Sequence, residues 1–354
     1  MTKNNEIDEL TELQKKLLNE VQWNFPLTNK PWEVLAERLD CTPAEIMEDL
    51  RVVKEKNILR QLSAIFDTKA LGYSSALIAA KLDPEKIDEG AAEISKHPGV
   101  SHNYKRNNDY NLWYTLAVPP HEDFDEHLDY LHNASGSLVT RKLPTLKLYK
   151  IGVKLDMTGT TAPDAKAEVL AHEAPVRSEE PPELSDLDYA VIKEAQEDLP
   201  LVDRPFMALA AEIGCSEDDI LSTLESLKER KLMRRFAAVM NHRKAGYKAN
   251  AMGVWAVPEK NSEEIGPKMA GFAFVSHCYK RPTYDDWPYS IFTMVHGHNA
   301  QQCEDTIAAI KDETGIKDYT LLWSVKEYKK TRVKYFTPDW DIWRQKMTGE
   351  TASN

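Results

Sequence analysis

Apolar residues near the start of the chain recur at helical spacing, with Leu10, Leu13, Leu17, Leu18 and Val21 on one side of the helical period. Pro31 then opens a second short helix, "PWEVLAERL", at a first-turn position where its missing N–H costs nothing. A third helix follows Thr42, with Pro43 at its first position and Glu45 at its third, the signature of a capping box. Helix, helix, tight turn, helix is the helix-turn-helix pattern. The alternating stretch "ILRQLSAIFD" predicts a wing strand behind it.

Beyond the wing the period changes, and the pattern reads strand, helix, strand, strand, helix, strand. In the later half of the chain these elements are predicted at 246–257, 261–271, 274–281, 289–296, 298–313 and 318–328. That order predicts a ferredoxin-like βαββαβ domain, with both helices on one face of a four-stranded antiparallel sheet.

The whole pattern occurs twice. Residues 58–84 align with 232–258 without a gap, and 32–58 match 206–232 in pattern. The fold class is therefore α+β, a tandem repeat in which each copy is a winged helix-turn-helix followed by a ferredoxin-like domain. The predicted boundaries are 8–66 and 67–155 for the first copy, and 185–240 and 241–336 for the second. Residues 156–184, rich in Pro, Ala, Thr and Glu, read as a flexible linker, and 337–354 as a C-terminal tail. Two copies are too few for a solenoid, so the two repeats are expected to pair with each other. Whether the fused chain forms a further homo-oligomer is left open.

Composition narrows the class. Of the 354 residues, 42% are hydrophobic and 29% charged, as in an ordinary globular protein. No apolar run is long enough to span a membrane, and the first residues, "MTKNNEIDELTELQKK", lack the apolar stretch of a secretory signal. Cys41, Cys215, Cys278 and Cys303 are scattered and never paired as C-x-x-C, which fits a reducing cytoplasm and no zinc ribbon. The net charge of −12 opposes a polyanionic partner. The third helices sharpen that point. Glu217, Asp218 and Asp219 open one of them, where a DNA reader would approach phosphates, so no nucleic-acid partner is expected.

The candidate chemistry lies in a phrase found in both copies, "VSHNYKR" at 100–106 and "VSHCYKR" at 275–281. Alternation along a strand puts Val275, His277, Tyr279 and Arg281 on one face, and Val100, His102, Tyr104 and Arg106 likewise. One such triplet alone reads rather as a solvated edge strand; its recurrence in two divergent copies puts a shared task level with that reading. Tyr284, Trp287, Tyr289 and His296 follow in the second copy, and Tyr110 and Asn111 in the first. Arg60, Arg234 and Arg235 lie on the wing strands. Aromatic rings beside arginine forks suit a flat ligand carrying several carboxylates.

Each repeat resembles the Lrp/AsnC transcription regulators from end to end. The motifs "RRFAAVMNHRKAGY" and "HCYKRPTYDDWPYSIFTMVHG" are more specific. They resemble the sirohaem decarboxylases of the alternative haem-biosynthesis pathway and their relatives in the nitrite-reductase haem pathway. Those proteins comprise two related subunits, and this chain is similar to a fusion of the two. The first copy departs from the motif: Asn103 replaces the cysteine, "NND" replaces "PTYDD", and "LAVPP" replaces "MVHG".

The resemblance implies loss of CO2 from two acetate side chains of sirohaem, on rings C and D, giving 12,18-didecarboxysirohaem. The macrocycle is its own electron sink, so no cofactor is expected beyond the iron carried by the substrate. A proton donor is required, and histidine suits that role. His277 is the first candidate, with His242 and His296 as alternates and His102 as the first-copy counterpart. Arg60, Tyr104, Arg106, Tyr110, Asn111, Arg234, Arg235, Tyr279, Arg281, Tyr284, Trp287 and Tyr289 are the candidate substrate-binding residues. No resident metal is expected, and axial ligation of the substrate iron is an equally open role for a histidine. The alternative class is an Lrp/AsnC-like regulator or haem-binding sensor.

Overall fold

The computed structural model describes residues 10–23, 25–151, 164–166, 181–241 and 249–349. The described chain folds as two compact units, one collecting both helix-turn-helix segments and the other both ferredoxin-like segments. The predicted linker falls largely at 156–163 and 167–180, outside the described residues, as does His242.

In the first unit the leading copy supplies α1 (Glu12–Val21), α2 (Pro31–Leu39), α3 (Pro43–Glu55) and β1 (Leu59–Phe66). The Thr42 capping box forms as predicted, with the Thr42 N–H donating to Glu45 at 2.8 Å. Leu17, Leu18, Leu35, Leu50 and Val53 are buried beneath these helices.

Along the chain the second unit then begins with β2 (Ser74–Lys81), α4 (Ile87–Ser95), β3 (Val100–Arg106), β4 (Leu112–Val118), α5 (Phe124–Ser135), β5 (Val139–Pro144) and β6 (Lys147–Ile151). The trailing copy returns to the first unit with α6 (Asp186–Ala195), α7 (Pro205–Ile213), α8 (Glu217–Glu229) and β7 (Met233–Met240). It completes the second with β8 (Ala249–Trp255), α9 (Ser262–Ala270), β9 (Val275–Lys280), β10 (Ile291–Gly297), α10 (Ala300–Thr314), β11 (Tyr319–Lys330) and α11 (Asp339–Thr348).

Within the helix-turn-helix unit the two wing strands pair with each other. β1 and β7 form a two-stranded antiparallel ribbon, with Leu62 opposite Ala238. Phe25 of one copy packs on Phe236 of the other, with centroids 5.4 Å apart, and Phe206 closes the cluster at 5.6 Å from Phe236.

In the other unit the strand order is β5-β2-β4-β3-β11-β8-β10-β9-β6, nine strands in one sheet among the described residues. Both copies exchange their last strand. β11 pairs with β8 of its own copy through Trp323, then with β3 of the first copy from Ser324 onward. In the same way β5 pairs with β2, and β6, just beyond it, pairs with β9 of the second copy. Each exchanged strand carries a lysine turned toward the other copy, Lys150 buried and Lys329 half-buried. Lys150 Nζ donates to Phe272 O at 2.8 Å, and Lys329 Nζ to Ser95 O at 2.7 Å, both near a helix C-terminus of the other copy, where a cation is favoured.

One sheet face is covered by helices, with Ile78, Ala80, Val100, Tyr114 and Leu116 packed on Ala91, Ile94 and Leu131. On the other face the copies meet directly. Ala79, Trp113 and Leu143 share one core with Met252, Val254, Phe292 and Leu322. The expected pairing of the two repeats is therefore carried by this apolar layer and by strand exchange.

Three expectations are corrected. Val100 and Val275 do not share a face with their histidines, because a bulge interrupts each strand immediately after the valine. The repeat is not gap-free. Trp113 is the cross-strand partner of both Tyr104 and Ala79, and Phe292 of both Tyr279 and Val254, so Ala79 corresponds to Val254 and not to Gly253. Finally, the predicted tail contains α11, whose Trp343 is buried in the helix-side core of the first copy. Among the described residues no helix is long and apolar enough to cross a membrane.

Candidate functional site

The repeated phrase lies on β3 and β9. Tyr104 faces Trp113, Tyr279 faces Phe292 and His277 faces Met294 across the ladder, so both phrases point to the side where the copies meet. The side chains form two matching rows. His277 stacks on Tyr279 with centroids 6.0 Å apart and planes at 24°, and the Arg281 guanidinium lies 4.8 Å from the Tyr279 ring centre. His102 stacks on Tyr104 at 6.2 Å and 29°, with Arg106 5.6 Å from the Tyr104 ring. Histidine, tyrosine and arginine are thus in face-to-face sequence in each copy. The histidines and tyrosines are half-buried, and the arginines are buried.

The two arginines are the unusual feature. Arg281 Nη1 donates to Leu143 O at 2.5 Å, and Arg106 Nη1 to Leu322 O at 2.7 Å, each reaching into the other copy. Neither has a carboxylate partner among the described residues, and neither Nε has any partner there. Burial pushes both guanidinium groups down to about 10, against a small upward pull from the adjoining tyrosine, and both remain charged at neutral pH. An isolated buried ion carries a penalty of several kcal/mol, on the order of that of half a salt bridge left open. Two such cations stand at equivalent places in the two copies.

Several predicted contacts are committed elsewhere. Tyr110 and Trp287 are buried in the layer between the copies, with Trp287 5.4 Å from Tyr110 and 5.3 Å from Trp113. Tyr110 Oη donates to Asp286 at 2.7 Å, and Arg141 donates to both oxygens of the same carboxylate at 3.1 Å. Those bonds, Arg141 first, hold the Asp286 carboxyl down to about 2. Tyr284 Oη donates to Lys142 O at 2.6 Å, and Tyr289 Oη lies 3.0 Å from Thr320 Oγ1. Asn111 spends its amide on both backbone groups of Leu82. The aromatic run read as a ligand platform is to this extent a cross-copy core, because large rings serve burial as readily as stacking.

Of the wing residues, Arg234 forks onto Asp67 at 2.8 and 3.1 Å, Arg235 lies 4.2 Å from the Trp23 ring, and Arg60 is exposed. All three belong to the helix-turn-helix unit. His296 follows Met294 by two positions on β10, on the face of His277, and its N–H donates to Phe274 O at 3.0 Å. No group of three or more potential metal ligands occurs among the described residues.

Residue-type reasoning missed the serines. Ser276 Oγ lies 2.8 Å from His277 Nδ1, and Ser101 Oγ 2.9 Å from His102 Nδ1. Strict alternation puts a serine next to a histidine on the opposite face; the bulge brings it into reach. The signal was present, since "SH" opens both phrases.

Comparison with known proteins bears on this arrangement. Residues 14–60 and 188–234 match the family model described as "Siroheme decarboxylase NirDL-like HTH domain", and 70–150 and 244–329 match "AsnC-like ligand binding domain". The chain is 38% identical over 336 residues to "Siroheme decarboxylase" of Hydrogenobacter thermophilus, covering 94% of this chain and 97% of that one. It is 45% identical over 147 residues to "Siroheme decarboxylase beta subunit" of Methanosarcina barkeri, covering 42% of this chain and 97% of the subunit. Among solved structures it is similar to siroheme decarboxylase NirDL in co-complex with an iron-uroporphyrin III analogue, with a TM-score of 0.75, 32% identity, and coverage of 96% of this chain and 99% of that one.

Proposed function

The chain belongs to the sirohaem decarboxylase family, and from that membership we propose that it is a carboxy-lyase acting on sirohaem. It removes CO2 from the acetate side chains on rings C and D and yields 12,18-didecarboxysirohaem. For each acetate the bond between the methylene and the carboxylate breaks, and CO2 leaves. The electron pair passes into the conjugated macrocycle, and a proton added to the methylene carbon leaves a methyl group. One proton is consumed per CO2. The macrocycle supplies the electron sink, so the protein needs to bind, orient and protonate, with no cofactor of its own.

The observation that carries this reading is the pair of buried guanidinium groups without carboxylate partners among the described residues, each at the end of a stacked histidine–tyrosine row. In this reading Arg106 and Arg281 answer carboxylates of the bound macrocycle, and Tyr104 and Tyr279 offer ring faces to it. His102 and His277 sit where a proton or the substrate iron is handled, with His296 beside the second row. Charge-assisted hydrogen bonds to a desolvated carboxylate are the strong ones, which suits a ligand with many acids. A regulator reading has less support, since α8 begins with Glu217, Asp218 and Asp219. The full reading is a cytoplasmic enzyme without a nucleic-acid partner.

Anaerobic incubation of the purified chain with sirohaem, followed by product mass, tests it. Two successive losses of the mass of CO2 are expected. An unchanged mass with ligand bound would return the chain to the class of tetrapyrrole sensors.

A further inference from the structure

Away from the two rows, α11 is seated on the first copy chiefly by two side chains. Trp340 and Trp343 are buried, while Asp339, Asp341, Ile342 and Arg344 beside them are exposed. Both indoles pack on one buried ring, that of His97, with centroids 5.9 and 4.7 Å away. Trp343 Nε1 is buried with no hydrogen-bond partner among the described residues, which makes the docked position less favourable than its apolar burial implies.

The hydrogen bonds beneath the indoles run in one direction. The Gly99 N–H donates to His97 Nδ1 at 2.9 Å, and a backbone N–H can only donate. Nδ1 therefore carries the lone pair, and the His97 ring proton is on Nε2. His97 Nε2–H donates in turn to His127 Nδ1 at 2.9 Å. That places the His127 proton on Nε2, donating to Glu122 Oε2 at 2.8 Å. The other oxygen of the same carboxylate accepts Arg344 Nε of α11 at 3.1 Å. Both rings are neutral in this arrangement. A second proton on His97 would set Nδ1–H against the Gly99 N–H. One on His127 would set Nδ1–H against the Nε2–H of His97. Neither ring gains a proton without breaking the chain.

The charged groups facing the pair come from three sides. Lys329 on β11 donates to His97 O at 3.0 Å and opposes a proton on that ring. Glu122 and Asp123, just before α5, and Glu126 within it favour a proton on His127. Arg344 on α11 opposes one, and itself lies 3.4 Å from Asp341. Lys96, next to His97 in the chain, is paired with Glu93 at 2.5 Å. Burial outweighs the acidic groups and depresses both imidazoles.

We propose that His97, His127 and Glu122 form an acid-sensitive latch that holds α11 down at neutral pH and lets it lift in mild acid. Once α11 has lifted, the rings meet water and titrate near the ordinary value of about 6.5. The lifted state then binds more protons than the docked one, so its share grows as pH falls below that value. From about pH 7.5 to about pH 5.5, one ring moves the balance ~10-fold and two rings ~100-fold. Such a latch works whether or not the chain acts on sirohaem.

Hydrogen exchange of the ligand-free full chain, read by mass spectrometry at these two pH values, tests it. Rates are taken relative to the unstructured chain at each pH, because the exchange chemistry itself depends on pH. Protection across 339–348 is expected to fall ~10- to 100-fold on acidification, while β2 and β4 keep theirs. His127→Gln removes one titrating ring and should hold that fall to ~10-fold or less. Arg344→Met leaves the buried rings in place and frees α11 from Glu122, so protection across 339–348 should drop at both pH values. Equal protection of 339–348 at the two pH values in the unsubstituted chain would overturn the proposal. So would a loss shared equally by β2 and β4, or an undiminished response in His127→Gln. Should His127→Gln fail to fold, the contrast between α11 and the two strands in the unsubstituted chain decides alone.

Discussion

Arg281 donates from Nη1 to the carbonyl of Leu143, a residue 138 positions earlier and in the other repeat. Arg106 and Leu322 reproduce the relationship in the opposite direction. The contact ties each row to the strand of its partner copy, but it leaves Nε of each guanidinium without a hydrogen-bond partner among the described residues. Arg281→Lys keeps the charge and a donor for Leu143 while losing the planar fork. Its thermal stability should change little, and its sirohaem affinity should fall about 10-fold or more, since hydrogen bonds to charged groups contribute ~1.5–3 kcal/mol. An absorbance titration gives the affinity. Unaltered binding together with a large loss of stability would make Arg281 a strand fastener only.

Asp286 gathers Arg141 and Tyr110 of the other copy onto one carboxylate. The pair with Arg141 is partly exposed, so salt should screen it. Asp286→Asn is expected to melt at a lower temperature than the unsubstituted chain, with the gap narrowing as salt is raised. Calorimetry at low and high ionic strength measures this, and a salt-independent gap would assign the effect to packing of Trp287.

A buried chain of three groups lies under α11. His97 Nε2 is 2.9 Å from His127 Nδ1, His127 Nε2 is 2.8 Å from Glu122, and the Gly99 N–H donates to His97 Nδ1 at 2.9 Å. Trp340 and Trp343 pack on His97, and Arg344 bonds to Glu122. Burial pushes both imidazoles below the ordinary histidine value, with Glu122 pulling His127 partly back. Lys329 adds to the depression at His97, while Glu126 opposes it and Arg344 reinforces it at His127. A depressed folded value means the unfolded chain binds more protons as pH falls. Stability is therefore full above the ordinary value of about 6.5 and is lost as pH drops below it. Tm followed by tryptophan fluorescence should be lower at about pH 5.5 than at about pH 7.5. His127→Gln should show a shallower dependence, and an identical slope would contradict the role of this pair.

The helix-turn-helix unit should not bind duplex DNA usefully at physiological ionic strength. α8 carries Glu217, Asp218 and Asp219 in its first turn, and α3 carries Glu45 there. These carboxylates stabilise the helix starts and repel phosphates. A sequence-specific, salt-sensitive mobility shift at nanomolar protein would refute this.

Much of the architecture was legible because it depends on local pattern. The Thr42 capping box, the βαββαβ order and the duplication are written in residues close in sequence. The strand exchange was not, since β11 reads as one strand whether it pairs with β8 alone or also with β3. The bulges were hidden for a related reason. One additional residue leaves the composition of "VSHCYKR" unchanged but reverses the face of everything before it. The helix α11 was missed although Trp340 and Trp343 are three apart, because its apolar face is short and lies beyond the repeat. For the site, the His–Tyr–Arg phrase was visible through repetition alone. Which aromatics would become core was not, because Tyr110 and Trp287 meet only once the two copies are packed.

The central claim is that the paired rows perform the decarboxylation, with His277 indispensable. Single-turnover anaerobic reactions with sirohaem, read by product mass for the unsubstituted chain, His277→Ala and His102→Ala, test it most directly. The unsubstituted chain should lose two CO2. His277→Ala should bind sirohaem yet react slower by ~100- to 10,000-fold, leaving the substrate mass in place over the same interval. His102→Ala should stall short of the doubly decarboxylated product. Loss of two CO2 at the full rate in His277→Ala would contradict the account.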